Sequence, residues 1–248
     1  MSRTELTITA PGGNCPATLH VPDGNGPFPG IVLFPDGGGV RETHRLMADR
    51  LAALGYAVLV PDVYYRAGAW APFDMATVFG DPVERPRLLG LAADLTAEKI
   101  AADAQAYVEA LLARPESYGP AVGVTGYCMG GTAALIAAGV LGERVAAAAS
   151  FHGGNLAAAD DPGSPHHRAG QIRARVYVAA ARGDASFPPE QAERLAAALT
   201  GAEVPHTIET YPAEHGFAVP DMPTHDAQAE ERHWAALADL FGSALTRA

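Results

Sequence analysis

Lysine and cysteine are nearly missing from this sequence of 248 residues. The only lysine is Lys99, and the only cysteines are Cys15 and Cys128. Two cysteines are too few for the disulfide framework of a small secreted protein. We therefore expect two free thiols and a reducing, cytoplasmic location.

Positive charge is also scarce. The sequence contains 17 basic and 28 acidic residues, which gives a formal net charge of −11. Proteins that bind nucleic acids normally present a surface rich in lysine and arginine. The acidic balance therefore argues against a nucleic acid as partner. The glycine patterns of nucleotide-binding loops are missing as well, so we expect no nucleotide cofactor.

A long hydrophobic run is absent too. The most apolar segment, residues 132–151, is interrupted by a glycine and two charged residues at 142–144. It is therefore too broken to span a bilayer as a helix. Residues 1–11 contain no apolar stretch of the kind found in secretory signals. The sequence thus predicts no membrane partner. Hydrophobic residues make up 48% of the sequence, which is enough for the core of one domain spanning residues 1–248.

Apolar runs alternate with amphipathic segments along the chain. The apolar runs predict strands at residues 5–8, 17–21, 31–34, 57–60, 121–125, 145–151, 175–181 and 206–211. The amphipathic segments predict helices at residues 41–54, 96–113, 132–141, 188–199 and 227–245. Leu46, Leu51 and Leu54 form the predicted buried face of the first helix, and residues 71–91 are predicted to be a long loop with one helical turn at most. Because the strands are apolar throughout and separated by helices, we expect an α/β fold with a mostly parallel sheet covered on both faces.

The sequence GYCMGG at residues 126–131 lies between a predicted strand and a predicted helix. It matches the nucleophile elbow, a sharp strand–turn–helix motif, with Cys128 in the nucleophile position. Glycines at 126 and 130 allow the strand and the helix to pass close together. The thiol would stand at a helix N-terminus, which favours a thiolate, and the N–H of Met129 would stabilise an oxyanion. A buried structural cysteine in a glycine-rich turn is the alternative interpretation.

An elbow nucleophile requires an acid and then a histidine, each after a later strand. Asp184 follows the predicted strand at 175–181, and His215 follows the one at 206–211. Open parallel sheets place their ligands at such strand ends. His215 would take and return the thiol proton, and Asp184 would orient its ring. Taken singly, Asp184 is also an ordinary turn residue and His215 an ordinary surface histidine, so the prediction depends on their order and position.

From residue 27 to about residue 245, the sequence resembles the dienelactone hydrolase family, which has the α/β-hydrolase fold. The resemblance is carried by the elbow, by PDVYYR at residues 61–66, by GD at 183–184 and by HGF at 215–217. Members of the family hydrolyse a lactone, carboxymethylenebutenolide, with a Cys–His–Asp triad and no cofactor. The resemblance implies the α/β-hydrolase fold and a small-molecule ester or lactone substrate. It also implies catalytic roles for Cys128, Asp184 and His215.

The first departure from the family follows the strand at 31–34. The family has a glutamate there that bonds the resting thiol and is displaced when substrate binds, whereas this chain has the shorter Asp36. Asp36 precedes three glycines, Gly37 to Gly39, a sequence typical of the oxyanion loop of esterases. We therefore predict that the N–H of Gly37 is a second oxyanion donor. Asp36 either contacts and gates the thiol or is a turn residue that caps the next helix.

A second departure concerns the two arginines with which the family holds a substrate carboxylate. Arg66 matches the first, but the position of the second, four residues after the histidine, is Val219. A paired arginine–carboxylate contact is a strong recognition element, so its loss leaves the substrate open. Tyr64, Tyr127 and His152 are further candidate substrate contacts, and packing is the alternative role for such side chains.

Two histidines at 166–167 and two aspartates at 160–161 are the candidate ligands for a metal. They lie in one polar loop without a second group at metal spacing, so a solvated loop is the better interpretation. We predict a cofactor-independent hydrolase of esters or lactones, active as a monomer or homodimer. The alternative is a non-hydrolytic small-molecule binder or redox sensor that keeps Cys128 as a reactive thiol.

Overall fold

The computed structural model describes residues 1–245, which contain an eight-stranded sheet with the strand order β1-β2-β4-β3-β5-β6-β7-β8. The strands are β1 (Ser2–Ala10), β2 (Gly13–Val21), β3 (Phe28–Phe34), β4 (Ala57–Pro61), β5 (Ser117–Tyr127), β6 (Val145–Phe151), β7 (Arg175–Ala181) and β8 (His206–Tyr211). The α-helices are α1 (Glu42–Ala53), α2 (Glu84–Asp94), α3 (Ala97–Leu112), α4 (Met129–Leu141), α5 (Pro189–Gly201) and α6 (Ala227–Ala244).

The direction of the strands changes once across the sheet. β1 and β2 form an antiparallel hairpin, and β2 pairs antiparallel with β4. From β4 to β8 every pair of neighbours is parallel. The predicted mostly parallel sheet is therefore confirmed. The loops that follow β3, β5, β6, β7 and β8 consequently meet at one edge, which is where open parallel sheets bind their ligands.

Side chains of β3 alternate between two hydrophobic clusters, one on each face of the sheet. Ile31 and Leu33 pack with α1 and α6, whereas Val32 and Phe34 pack with α3, α4 and α5. The prediction of helices on both faces is thus confirmed. None of the helices described in residues 1–245 is long and apolar enough to cross a membrane.

Two details of the helices differ from the prediction. The loop predicted over residues 71–91 is wrong at its end, because α2 begins at Glu84. Only Leu88 of α2 is buried, so this helix lacks the apolar periodicity by which it would be recognised. In α1 the buried face contains Met47 and Leu51, while Leu46 and Leu54 are exposed. The predicted buried face is therefore wrong by one residue at Leu46, because the side chain that enters the core is that of Met47.

Candidate active site

Cys128 lies in the sharp turn between β5 and α4. Its backbone has φ +54°, in the region that non-glycine residues rarely adopt. The N–H of Cys128 is held on both sides, since it donates to the carbonyl of Phe151 at 3.0 Å and to Nδ1 of His152 at 3.1 Å. The side chain is partly exposed. A strained backbone that is fixed by its neighbours and presents a thiol at a helix N-terminus is the arrangement of a nucleophile elbow.

Two glycines of the elbow lie directly against backbone atoms of neighbouring segments, which leaves no room for a side chain at either position. A Cβ atom on Gly126 would lie 1.9 Å from the carbonyl oxygen of Gly130, and one on Gly130 would lie 2.3 Å from the carbonyl oxygen of Pro35. β5, α4 and the end of β3 therefore meet at distances that admit no side chain. This close approach brings the loop after β3 next to Cys128.

Asp184 and His215 lie beside Cys128, at the ends of β7 and β8. Nδ1 of His215 is 2.7 Å from Oδ2 of Asp184, and His215 also forms a hydrogen bond with Cys128. Asp184 is fixed in turn by Ser186, whose N–H and hydroxyl donate to Oδ1 at 2.8 and 2.7 Å. The structure thus brings together the three side chains that the sequence analysis proposed as a triad.

The hydrogen bonds of this group shift the pKa values of both partners. Burial alone would lower the pKa of His215, but its bonds with Asp184 and Cys128 outweigh burial and raise the pKa to about 10. Burial would raise the pKa of Asp184, yet hydrogen bonds from His215 and Ser186 lower it to about 2. At neutral pH, His215 is therefore an imidazolium held between an ionised Asp184 and the sulfur of Cys128.

His152 directly follows β6, and its ring accepts a hydrogen bond from the N–H of Cys128 in the elbow. Its ring is 5.1 Å from that of His215 and 5.0 Å from that of Phe217, measured between centroids. Burial, followed by the charge of His215, lowers the pKa of His152 to about 3, so its ring stays neutral. Only 1% of His152 is exposed, which places it outside the reach of a ligand. It was predicted as a substrate contact, and the structure shows it packed under the site.

The two predicted oxyanion donors belong to the helix that follows Cys128 and to the loop that follows β3. Met129 is the first residue of α4, so its N–H has no acceptor within the helix. Gly37 lies in the loop after β3, and its carbonyl accepts a hydrogen bond from the hydroxyl of Tyr64 at 2.7 Å. Tyr64, another predicted substrate contact, is 3% exposed and therefore acts on the orientation of this loop.

Asp36 is bound to a buried arginine. Both of its carboxylate oxygens accept from Arg41, at 2.7 and 2.9 Å, and Oδ1 also accepts from the N–H of Gly38. Burial would raise the pKa of Asp36, but the combined influence of His44, Arg41 and the N–H of Gly38 lowers it. Arg41 binds Asp221 with its remaining N–H groups, at 2.8 and 2.9 Å. Of the two interpretations left open for Asp36, a thiol contact or a turn residue that caps the next helix, the structure shows the turn at Gly38 but no side-chain cap on α1, and the carboxylate is taken up by this ion pair.

The structure shows why sequence reasoning missed Arg41 and Asp221. Arg41 precedes α1, and Asp221 lies in the loop after His215, so the two residues are 180 positions apart. A single sequence gives no sign of such a pairing. Its effect is to connect the predicted oxyanion loop with the loop that carries His215.

Replacing Arg41 with methionine is expected to lower the free energy of unfolding by about 3–5 kcal/mol, because it leaves the Asp36 carboxylate buried without its cation. Urea denaturation measures the loss. The matched control is Arg144→Met, which breaks the exposed pair with Glu109 and should cost at most about 1 kcal/mol. Equal losses in the two variants would contradict the role of Arg41, and adding Asp36→Asn should recover part of its loss.

The remaining predicted substrate contacts point elsewhere. Arg66 is paired with Asp103, with Nη2 2.7 Å from Oδ1, and lies beside the β1–β2 turn. Tyr127 is fully buried, and its hydroxyl is 2.9 Å from Nε2 of His233 on α6. The two side chains are engaged for different reasons, since Asp103 holds the guanidinium of Arg66 whereas the ring of Tyr127 packs in the core. Val219 is also fully buried, so an arginine at this position would enter the core.

A cavity of about 700 Å³ opens beside the triad. Cys128, Met129 and His215 line one side of it, and Ser186 adjoins them. The junction of α2 and α3 forms a second wall, and the loop at residues 154–163 forms a third. Within residues 1–245, no group of three or more histidine, cysteine, aspartate or glutamate side chains is arranged to hold a metal. The cavity therefore gives an organic ligand direct access to the thiol.

Comparison with known proteins agrees with this architecture. A protein of Synechocystis sp., provisionally named a carboxymethylenebutenolidase, is 28% identical over 231 residues, covering 92% of this chain and 91% of its own. A provisionally named dienelactone hydrolase from Klebsiella pneumoniae has a similar structure, with a TM-score of 0.83 at 24% identity, covering 97% of this chain and 98% of its own.

A second solved structure is similar at higher identity. It is a dienelactone hydrolase-like promiscuous phosphotriesterase from metagenomic libraries, with a TM-score of 0.79 at 28% identity. The match covers 98% of this chain and 99% of that one. The model of the dienelactone hydrolase family matches residues 15–245. The chain, a hydrolase with the α/β-hydrolase fold, therefore belongs to the dienelactone hydrolase family.

Proposed function

We propose that the protein hydrolyses ester or lactone bonds without a cofactor, using Cys128, His215 and Asp184 as catalytic residues. The observation that supports this most directly is the position of His215, which bonds Asp184 on one side and Cys128 on the other at the wall of an open cavity. Membership of the family supports the hydrolase class, and the name of the Synechocystis relative supports a lactone or ester as substrate.

In the first half of the reaction, the thiol proton of Cys128 is on Nε2 of His215, and Sγ attacks the carbonyl carbon while the carbonyl electron pair moves onto oxygen. The N–H groups of Met129 and Gly37 are the proposed donors to this oxyanion, and loss of one such donor costs about 3 kcal/mol in comparable enzymes. Collapse of the intermediate breaks the C–O bond, and His215 gives its proton to the leaving alkoxide. In a lactone, the new hydroxyl stays attached to the acyl group.

In the second half, water hydrolyses the thioester on Cys128. His215, now neutral, takes a proton from the water as its oxygen attacks the acyl carbon, and the C–S bond breaks to release the carboxylic acid. Asp184 remains ionised throughout, because its pKa near 2 lies far below neutral pH. Its hydrogen bond with Nδ1 of His215 holds the ring in place, so that Nε2 faces the reacting atoms.

Turnover of 4-nitrophenyl acetate tests this proposal. We expect many equivalents of 4-nitrophenol per protein molecule, and acid quenching during the steady state should trap an acetyl group on the peptide containing Cys128. A binder or redox sensor with a reactive thiol would release one equivalent and stop. An acetyl group found only on other residues would also exclude the proposed nucleophile.

The pH dependence of kcat/KM follows from the raised pKa of His215. His215 is protonated below its pKa of about 10, so activity should persist through mildly alkaline pH and fall as this proton is lost. Asp184→Asn removes a hydrogen bond to a charged partner that raises this pKa, so the alkaline limb should move to lower pH. A pH-stat assay with a stable alkyl ester measures both profiles. Ser186→Ala is the control, because the hydroxyl of Ser186 donates to Asp184 and not to His215, and a limb that moves equally in both variants would contradict the assignment.

A further inference from the structure

The cavity beside Cys128 is largely apolar away from the triad. Leu95 and Ile100 line it from the α2–α3 junction, and Ile136 lines it from α4. Burying a hydrocarbon or aryl group against such side chains is favourable, and they offer no partner to a charge. The walls therefore suit an uncharged group attached to the carbonyl carbon or to the ester oxygen.

Besides the triad residues, the charged side chains that line this cavity within residues 1–245 are carboxylates. Glu98, in the first turn of α3, and Asp161, in the loop opposite, both line it. Oδ1 of Asp161 accepts the N–H of Gly163 at 2.8 Å, which fixes the carboxylate at the rim. Hydrogen bonds from its own backbone and from Thr96 lower the pKa of Glu98, so it is ionised at neutral pH. Neither lysine nor arginine lines the cavity within residues 1–245.

The arginines around the cavity walls are bound to other groups. Arg168 donates to the carbonyl of Gly163 at 3.2 Å, behind the rim, and its charge acts on Glu98. Arg66 is paired with Asp103, and Arg41 lies between the two aspartates described above. A substrate carboxylate in this cavity would thus face two negative charges, and the one cation among the lining side chains of residues 1–245, His215, is already paired with Asp184.

We propose that the site accepts esters and lactones whose acyl and alkoxy groups are uncharged, and that Glu98 and Asp161 disfavour substrates bearing a carboxylate. This inference rests on the proposed function, because it concerns the substrate of the same cavity. Both carboxylates are exposed, so water and salt weaken their effect. We expect a discrimination of about tenfold in kcat/KM at low ionic strength, decreasing as salt is added.

A matched pair of substrates tests the inference on the full-length protein. The 4-nitrophenyl half-ester of glutaric acid carries a carboxylate, and the methyl ester of the same compound does not. Rates of hydroxide-catalysed hydrolysis correct for the intrinsic difference between the two. The corrected ratio of kcat/KM, neutral over anionic, should be about ten in low salt and should fall in high salt.

The double variant Glu98→Gln/Asp161→Asn should bring this ratio close to one. The control Glu143→Gln/Asp239→Asn changes the net charge by the same amount at exposed positions after α4 and on α6, and should leave the ratio as in the wild type. A wild-type ratio of one or below would overturn the inference, as would equal ratios in the two double variants. Failure to turn over either ester would instead contradict the proposed function.

Discussion

Cys128→Ala is expected to reduce ester hydrolysis by about ten thousandfold or more, the scale seen when a nucleophile is removed from a catalytic triad. The variant loses Sγ, so no thioester can form. Alanine keeps the Cβ of cysteine, and the backbone N–H of residue 128 can still bond Phe151 and His152, so the fold should survive. Measurement of kcat together with the thermal unfolding midpoint separates the two effects.

Cys128→Ser is the informative companion variant. Serine has nearly the same shape, but its hydroxyl is a weaker nucleophile than a thiol and must give up its proton to His215 during the attack. We expect activity well below that of the wild type. Equal activity would mean that the site works as an ordinary serine-type esterase site. Wild-type kcat in Cys128→Ala would refute the nucleophile.

Gly126→Ala is expected to prevent the native fold or to remove most of its stability. The added Cβ would lie 1.9 Å from the carbonyl oxygen of Gly130, 2.2 Å from its carbonyl carbon and 2.8 Å from the nitrogen of Gly131. All three are backbone atoms, so no rotamer change relieves the overlap. A loss of more than about 4 kcal/mol is a large share of the 5–15 kcal/mol that stabilises a typical protein. Guanidinium denaturation and soluble yield measure it.

Gly242→Ala is the matched control for this substitution. Gly242 lies within α6, and a Cβ there would have no neighbour within 4 Å. Alanine favours a helix over glycine by roughly 0.5–1 kcal/mol, so this variant should be as stable as the wild type or slightly more stable. Similar denaturation midpoints for Gly126→Ala and Gly242→Ala would show that the elbow is looser than its geometry implies.

Residues whose role depends on their place along the chain were predictable from the sequence. Asp184 and His215 follow strands recognisable by their apolar runs, and the elbow pattern identifies its own turn. Because parallel strands end at the same edge of the sheet, residues that directly follow different strands lie close together in the structure. The predicted bounds of β6, β7 and β8 agree with the structure, and β6 and β7 are easily recognised because each is an almost continuous buried run.

Residues whose contacts depend on a partner that no local sequence pattern marks were not predictable. Arg66 fits a family pattern, but its guanidinium is taken by Asp103 on α3, which no local signal links to it. Asp36 could be interpreted as a gate or a cap because its actual partner, Arg41, is an unremarkable charged residue before a helix. Helix α2 was not predicted because it lacks the periodic hydrophobic pattern on which helix prediction depends. Its one buried side chain is that of Leu88.

The pairing of Arg41 with Asp221 also bears on the order in which the protein folds. The contact joins residues 180 positions apart, and a contact of Arg50, in α1, with Glu231 joins residues 181 positions apart. Contacts of such separation are entropically costly to close and form late in folding. During synthesis, Arg41 can therefore pair with Asp36 early but lacks its second partner until Asp221 has left the ribosome. An immature chain would carry Cys128 on a formed elbow well before the site around it is complete.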